Sequence, residues 1–210
     1  MQAIFHAPNV RLRRLGKSNM STLVDLSVAD SFYLEPKVWG DDRGYFVEKY
    51  RASQLQGRTH GPFLQFNQSR STGGVLRGLH LQVGAAASAK WVECIVGTIW
   101  DVCVDLRPDS PTYKHWVGLE LSEENHRGVY VPPGCGHGFC VLGDSPAVIR
   151  YAQTSYYNAD AERCLLWSDP TIGIDWPITD PILSDKDVSA PCFTDDYQWE
   201  GCRGLLHGLT

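Results

Sequence analysis

Apolar and polar positions alternate along most of the chain with the two-residue period of β-strands. In "IWDVCVDL", residues 99–106, Asp101 and Asp105 fall in one phase and Val102 and Val104 in the other, the pattern of a half-buried strand. The same reading predicts strands over 31–38, 44–50, 63–69, 73–82, 90–96, 98–106, 115–121, 127–132, 137–142 and 147–156. Turn chemistry separates them: "WGDDRG", "STGG", "VGAAASA", "RPDSP", "PPGCG" and "LGDSP". Only 51–57 and parts of the C-terminal third read as short helices, and neither an internal repeat nor a linker divides the chain. Residues 1–24, with the basic cluster "RLRRLGK", form a weakly patterned lead-in expected to lie outside the core. Residues 157–210 lose the alternation, become rich in Asp, Pro and Trp, and are expected to wrap the core and bring polar groups to its mouth. Many short strands with Gly/Pro turns predict an all-β protein, a single antiparallel jelly-roll barrel with short peripheral helices.

Composition narrows the function classes. With 210 residues, 19 basic against 24 acidic side chains and a net charge of −5, a nucleic-acid or anionic-membrane partner is disfavoured. An anionic small molecule remains compatible, because a few arginines converging on one cleft dominate locally. No apolar run approaches the ~20 residues of a membrane helix, and no signal peptide is evident at the N-terminus. Cys94, Cys103, Cys135, Cys140, Cys164, Cys192 and Cys202 include no C-x-x-C pair, which predicts free thiols, mostly buried, in a reducing cytoplasm.

The stretch "GGVLRGLHLQ", residues 73–82, raises the question of chemistry, because Arg77, His80 and Gln82 interrupt an apolar strand. They have company: Glu48 in "GYFVEKY", Gln65 and Asn67 in "FLQFNQS", Lys90 opening "KWVECIV", His137 in "PPGCGHGF" and Tyr151 in "VIRYAQT". Each alone fits an exposed strand face. Recurring across several strands of one barrel, they fit a polar ligand cavity, since unpartnered buried polar groups are too costly to scatter at random.

Three chemistries compete for such a cavity. A metal would need a second histidine or an acid close to His80, but Gln82 stands two positions on; in Cys135-x-His137-x-x-Cys140 the first two residues share a face and the third does not. A Cys135–His137 nucleophile is conceivable, although no third, orienting group is visible. Proton transfer is the remaining reading. His80 can take and return a proton near neutrality, Asp187 in "LSDKD" could fix its tautomer, Lys90 could stabilise charge on a carbonyl oxygen, and Tyr151 could deliver a proton from the opposite face. That set suits inversion of a carbon next to a ketone.

The blocks "LEPKVWGDDRGYFVEKY", "FLQFNQSRSTGGVLRGLHLQ", "AKWVECIVGTIWDVCVDLRPDSPTYKHWVGLELSEEN", "VYVPPGCGHGF", "YYNADAERCLLWSDPTIGIDWP" and "LSDKD" closely resemble the dTDP-4-dehydrorhamnose 3,5-epimerase family. The similarity runs in order from about Tyr33 to Phe193. It implies a cupin-like domain over 25–193 followed by a tail over 194–210, a homodimer, no metal or other cofactor, and a nucleoside-diphosphate 4-keto-6-deoxyhexose as substrate, dTDP-linked by analogy. Carried over residue by residue, His80 matches the family's base, Asp187 the acid paired with it, Lys90 the lysine near the C4 oxygen and Tyr151 the proton donor. Arg43, Glu48, Gln65, Asn67, Arg77, His137, Glu162 and Lys186 match its nucleotide-sugar contacts. Arginines suit a diphosphate because a guanidinium pairs two oxygens at once. On this resemblance Arg77 faces phosphate and His80 the sugar carbon, on one cavity-facing strand.

Leu81, Cys135-Gly136 and Trp39 depart from the family's usual residues. Leu81 alternates with His80 and is expected to point away from the cavity, whereas Cys135-Gly136 adjoins His137 and Trp39 could touch the ligand. These changes bear on the exact sugar or nucleotide more than on the reaction. A single-centre epimerase, a 3,4-ketoisomerase and a non-catalytic nucleotide-sugar-binding cupin are the alternatives. Binding alone does not require an acid and a base on opposite faces.

Overall fold

The computed structural model describes residues 14–17, 21–195 and 197–206. Its larger sheet, with strands numbered in chain order, runs β1 (Arg14–Lys17), β2 (Ser21–Asp25), β3 (Phe32–Pro36), β11 (Gly128–Val131), β8 (Lys90–Val96), β13 (Ala147–Gln153) and β6 (Gln65–Ser71). The smaller runs β10 (Trp116–Ser122), β9 (Thr98–Asp105), β12 (Cys135–Val141), β7 (Leu76–Gln82) and β14 (Glu162–Cys164). A separate hairpin pairs β4 (Val38–Asp41) with β5 (Gly44–Val47). All of these strand pairings are antiparallel, for example β9 with β10 and β12, and β8 with β11 and β13. The jelly roll thus takes the form of two facing sheets, open in strand order among the described residues, which include one short helix, α1 (Asp185–Val188).

Apolar side chains form three layers. Val92, Cys94, Val129 and Ile149 of the larger sheet meet Ile99, Cys103, Val117, Leu119 and Phe139 of the smaller one in the interior. On the outer face of the smaller sheet, Leu76, Leu79, Leu81, Trp100, Val102 and Val104 are covered by Leu165, Ile172, Phe193 and Trp199 from the C-terminal segment. Phe32, Leu34, Trp91 and Tyr130 on the outer face of the larger sheet lie under Leu55 and Phe63.

That covering corrects the half-buried reading of "IWDVCVDL". Both phases of β9 are buried, because the C-terminal segment seals the apolar side and leaves the acidic side facing the interior. Asp105 there binds the buried Arg107 guanidinium, with Nη2 at 2.9 Å, and accepts from Ser110 and Thr112. The lead-in assignment also changes. Residues 1–13 lie outside the described residues, but Arg14–Lys17 and Ser21–Asp25 are strands, and Val24 joins the interior core. Weak alternation is enough at a sheet edge, where backbone pairing to β3 supplies the order. The segment expected to be helical over 51–57 is a 3-10 turn at Ala52–Gln54. Beyond 194, Trp199 and Cys202 on a second such turn, Tyr197–Cys202, are fully buried. The cysteines are free, with Cys94, Cys103, Cys135, Cys140 and Cys202 buried, Cys164 half-buried and Cys192 exposed.

Candidate functional site

Strict alternation would put Arg77 and His80, three positions apart, on opposite faces of β7. The register against β12 shows why they share one: His80 pairs with His137 and Arg77 with Phe139, so three steps on β7 match two on β12. The extra residue lies at Gly78–Leu79. Gly78 has φ +135°, and a Cβ there would stand 2.5 Å from the Gly138 Cα, so only glycine fits. After this bulge Leu76, Leu79 and Leu81 face the outer core, while Arg77, His80 and Gln82 face the interior side. Leu81 points away from the cavity, as its alternation with His80 predicts.

His80 Nε2 lies 2.7 Å from Asp187 Oδ1. Asp187 sits on α1, whose N-cap Ser184 donates its hydroxyl to Asp187 Oδ2 at 2.7 Å, and the Gly78 N–H donates to Oδ1 at 3.3 Å. Burial alone would raise the Asp187 carboxyl, but the bonds from His80 and Ser184 outweigh it and hold its pKa below the ordinary value. The carboxylate is thus ionised and accepts, which places the shared proton on His80 Nε2, so that in the neutral imidazole the lone pair is on Nδ1.

Lys90 opens β8 on the opposite sheet and reaches across, its Nζ donating to the His80 carbonyl oxygen at 3.1 Å. Burial brings its pKa down to about 8, against the pull of Asp101 and Glu162. His137, 7% exposed, donates from Nε2 to Asp101 Oδ2 at 2.8 Å. Burial pushes its pKa down, and Asp101 only partly restores it. Tyr151 on β13, cross-strand from Asn67, has its hydroxyl pKa raised, mainly by burial.

The remaining polar groups line the rim. Gln65 Nε2 donates to Asn67 Oδ1 at 3.0 Å, and Asn67 Nδ2 to Gln153 Oε1 at 2.8 Å. Lys186 on α1 meets Glu162 Oε1 at 2.8 Å, and the Tyr157 hydroxyl donates to Glu162 Oε2 at 3.1 Å. Arg77, exposed, donates from Nε to Ser71 Oγ at 3.0 Å. Gln82 clamps the following loop, donating to the Ala86 carbonyl oxygen at 3.1 Å and the Tyr156 carbonyl oxygen at 3.3 Å.

Arg43 and Glu48 do not join this cluster within the chain. The β4–β5 hairpin stands apart from both sheets, Arg43 pairs with Asp41 at 2.6 Å, and Glu48 pairs with Arg51. Sequence reasoning missed Asp101, Gln153, Ser184 and Tyr157. The signal for Asp101 was present, an acid inside an otherwise apolar strand, but it read as solvent-facing.

The competing chemistries can be weighed on this geometry. Among the described residues no group of three His, Cys, Asp or Glu side chains is arranged to hold a metal ion. Cys135 and His137 do share a face and Cys140 takes the other. Yet burial, reinforced by Cys103 and Asp105, pushes the Cys135 thiol well up, the opposite of an activated nucleophile. A histidine–carboxylate pair, a lysine on the facing sheet and a half-buried tyrosine can move protons on a carbon acid.

Residues 25–195 match the family model for dTDP-4-dehydrorhamnose 3,5-epimerase. The chain is 45% identical over 179 residues to the dTDP-4-dehydrorhamnose 3,5-epimerase of Shigella flexneri, covering 83% of this chain and 98% of that one. Its fold is similar to the crystal structure of dTDP-4-dehydrorhamnose 3,5-epimerase from Bacillus anthracis with TDP and PPi bound, with a TM-score of 0.79 and 42% identity over 82% of this chain and 99% of that one. It is also similar to dTDP-6-deoxy-D-glucose-3,5-epimerase from Legionella pneumophila in complex with dTDP-4-keto-L-rhamnose, with a TM-score of 0.77 and 38% identity over 82% and 92% of the two chains.

Proposed function

The chain belongs to the dTDP-4-dehydrorhamnose 3,5-epimerase family, and on that premise we propose that its cavity binds a dTDP-linked 4-keto-6-deoxyhexose and inverts the carbons flanking the ketone, C3 and C5. The observation that carries this reading is the His80–Asp187 contact at 2.7 Å, with Lys90 reaching the same strand from the facing sheet.

A hydrogen on C3 or C5 is acidified by the C4 carbonyl, and its removal as a proton leaves an enolate. His80 takes the proton at Nδ1, and Asp187 stabilises the imidazolium through Nε2–H without being protonated itself. Negative charge moves onto the C4 oxygen, where the Lys90 ammonium supplies a fixed donor. Tyr151 returns a proton from the other face, so the carbon is inverted. Arg77 and Lys186 meet the diphosphate, while Gln65, Asn67, His137 and Glu162 orient the nucleotide sugar. Arg43 and Glu48, carried on the projecting hairpin, take their part in a homodimer. We place the enzyme in the cytoplasm, where reduced thiols and sugar nucleotides coexist.

Product analysis tests this. Incubation with dTDP-4-keto-6-deoxyglucose in deuterated water, read by NMR, should show deuterium at C3 and C5 with inversion at both. Label at one centre would make this a single-centre epimerase, and no label with tight binding would make it a binding protein.

A further inference from the structure

Asp101 has no role in the reaction as described, yet it is fully buried between the sheets. One carboxylate oxygen, Oδ2, accepts from His137 Nε2 at 2.8 Å, while Oδ1 has no hydrogen-bond partner among the described residues. A buried carboxylate oxygen left this way is costly unless a cation offsets it. His137 does not provide the charge, because burial favours its neutral form. Lys90 is the other candidate. Among the described residues it bonds only the His80 carbonyl oxygen, which leaves two N–H groups without a partner there.

We propose that Asp101 is a positioning residue whose carboxylate, anchored on His137, supplies the fixed negative charge that keeps Lys90 protonated in the cavity. This inference rests on the reading of Lys90 as the cationic donor to the enolate oxygen. The other acid acting on Lys90 is Glu162 on β14, but its charge is already met by Lys186 and by the Tyr157 hydroxyl. Further titratable groups face the pair from each neighbouring element. On β9 and β8 these are the thiols of Cys103 and Cys94, and Tyr151 on β13 packs against the same interior core. His80 and His137 stand on β7 and β12, and Lys186 and Asp187 on α1. Burial is the largest influence on Lys90 and lowers its pKa; Asp101 is the first of the groups that oppose it. Without that carboxylate the ammonium would persist only to a lower pH.

The experiment follows Lys90 itself. In enzyme labelled with 13C at lysine Cε, the Lys90 resonance is identified by its loss in Lys90→Arg, and its titration is compared between wild type and Asp101→Asn. The midpoint should fall by about one pH unit or more, and the alkaline limb of kcat should move down with it. A midpoint that stays in place overturns the proposal, as does a kcat lowered equally at every pH, which is the signature of a purely structural loss. A midpoint that falls while the kcat limb stays supports the electrostatic role and removes Lys90's charge from the mechanism. Should Asp101→Asn not fold, Asp101→Ser, which also removes the carboxylate, carries the same expectations.

Discussion

His80 Nε2 and Asp187 Oδ1 meet at 2.7 Å although 107 positions separate the two residues. In the proposed mechanism this pairing leaves Nδ1 as the ring nitrogen that takes the proton. His80→Asn should abolish both solvent deuterium exchange and product formation, because no enolate forms. Asp187→Asn should behave as a weakened version, with kcat reduced on the order of a hundredfold or more as the tautomer and the imidazolium lose their partner. NMR of the sugar in deuterated water reads both. Substantial exchange in His80→Asn would reassign the base.

Tyr151 separates exchange from inversion. In Tyr151→Phe the base can still remove a proton and return a deuteron to the same face, so label should enter while inversion falls. Equal loss of both would show that Tyr151 acts before the enolate forms.

Lys90 makes an electrostatic and a pH-dependent prediction. Lys90→Ala should lower kcat by about a hundredfold or more, as for other preorganised oxyanion donors, with KM much less affected, because the charge it meets appears only as the proton leaves. An effect confined to KM would move Lys90 to phosphate binding. Since burial depresses its pKa to about 8, the charged form prevails below that pH and is lost above it. The wild-type kcat should therefore decline as pH rises through about 8, and a flat profile to pH 10 would contradict a cationic role.

Gly78 is where the strand gains its extra residue. Gly78→Ala would set a Cβ 2.5 Å from the Gly138 Cα at φ +135°, so it should destabilise the fold by about 2 kcal/mol or more. Thermal unfolding of the variant checks this, and an unchanged Tm would refute the steric argument.

Light scattering behind a sizing column should give twice the mass of one chain. Tyr45 and Phe46 on the hairpin are 63% and 66% exposed, and Phe66 on β6 is 69% exposed, an apolar surface a monomer would leave in water. A fully active monomer at micromolar concentration would count against the dimer.

Periodicity by itself determined the strands of the core, such as Lys90–Val96 and Ala147–Gln153, because alternation records which side chains share a face. It likewise placed Leu81 opposite His80. Three things were decided only by tertiary structure. A period of two does not say which face is inside; the C-terminal segment settled that for β9 by covering Val102 and Val104, which turned Asp101 inward onto His137. Nor does it survive an inserted residue, so Arg77 and His80 share a face only because β7 bulges against β12 at Gly78. The third is closure: α1 brings Asp187 against His80 through Ser184 and the backbone of Gly78, contacts between segments whose separation along the chain carries no signal of their distance in space.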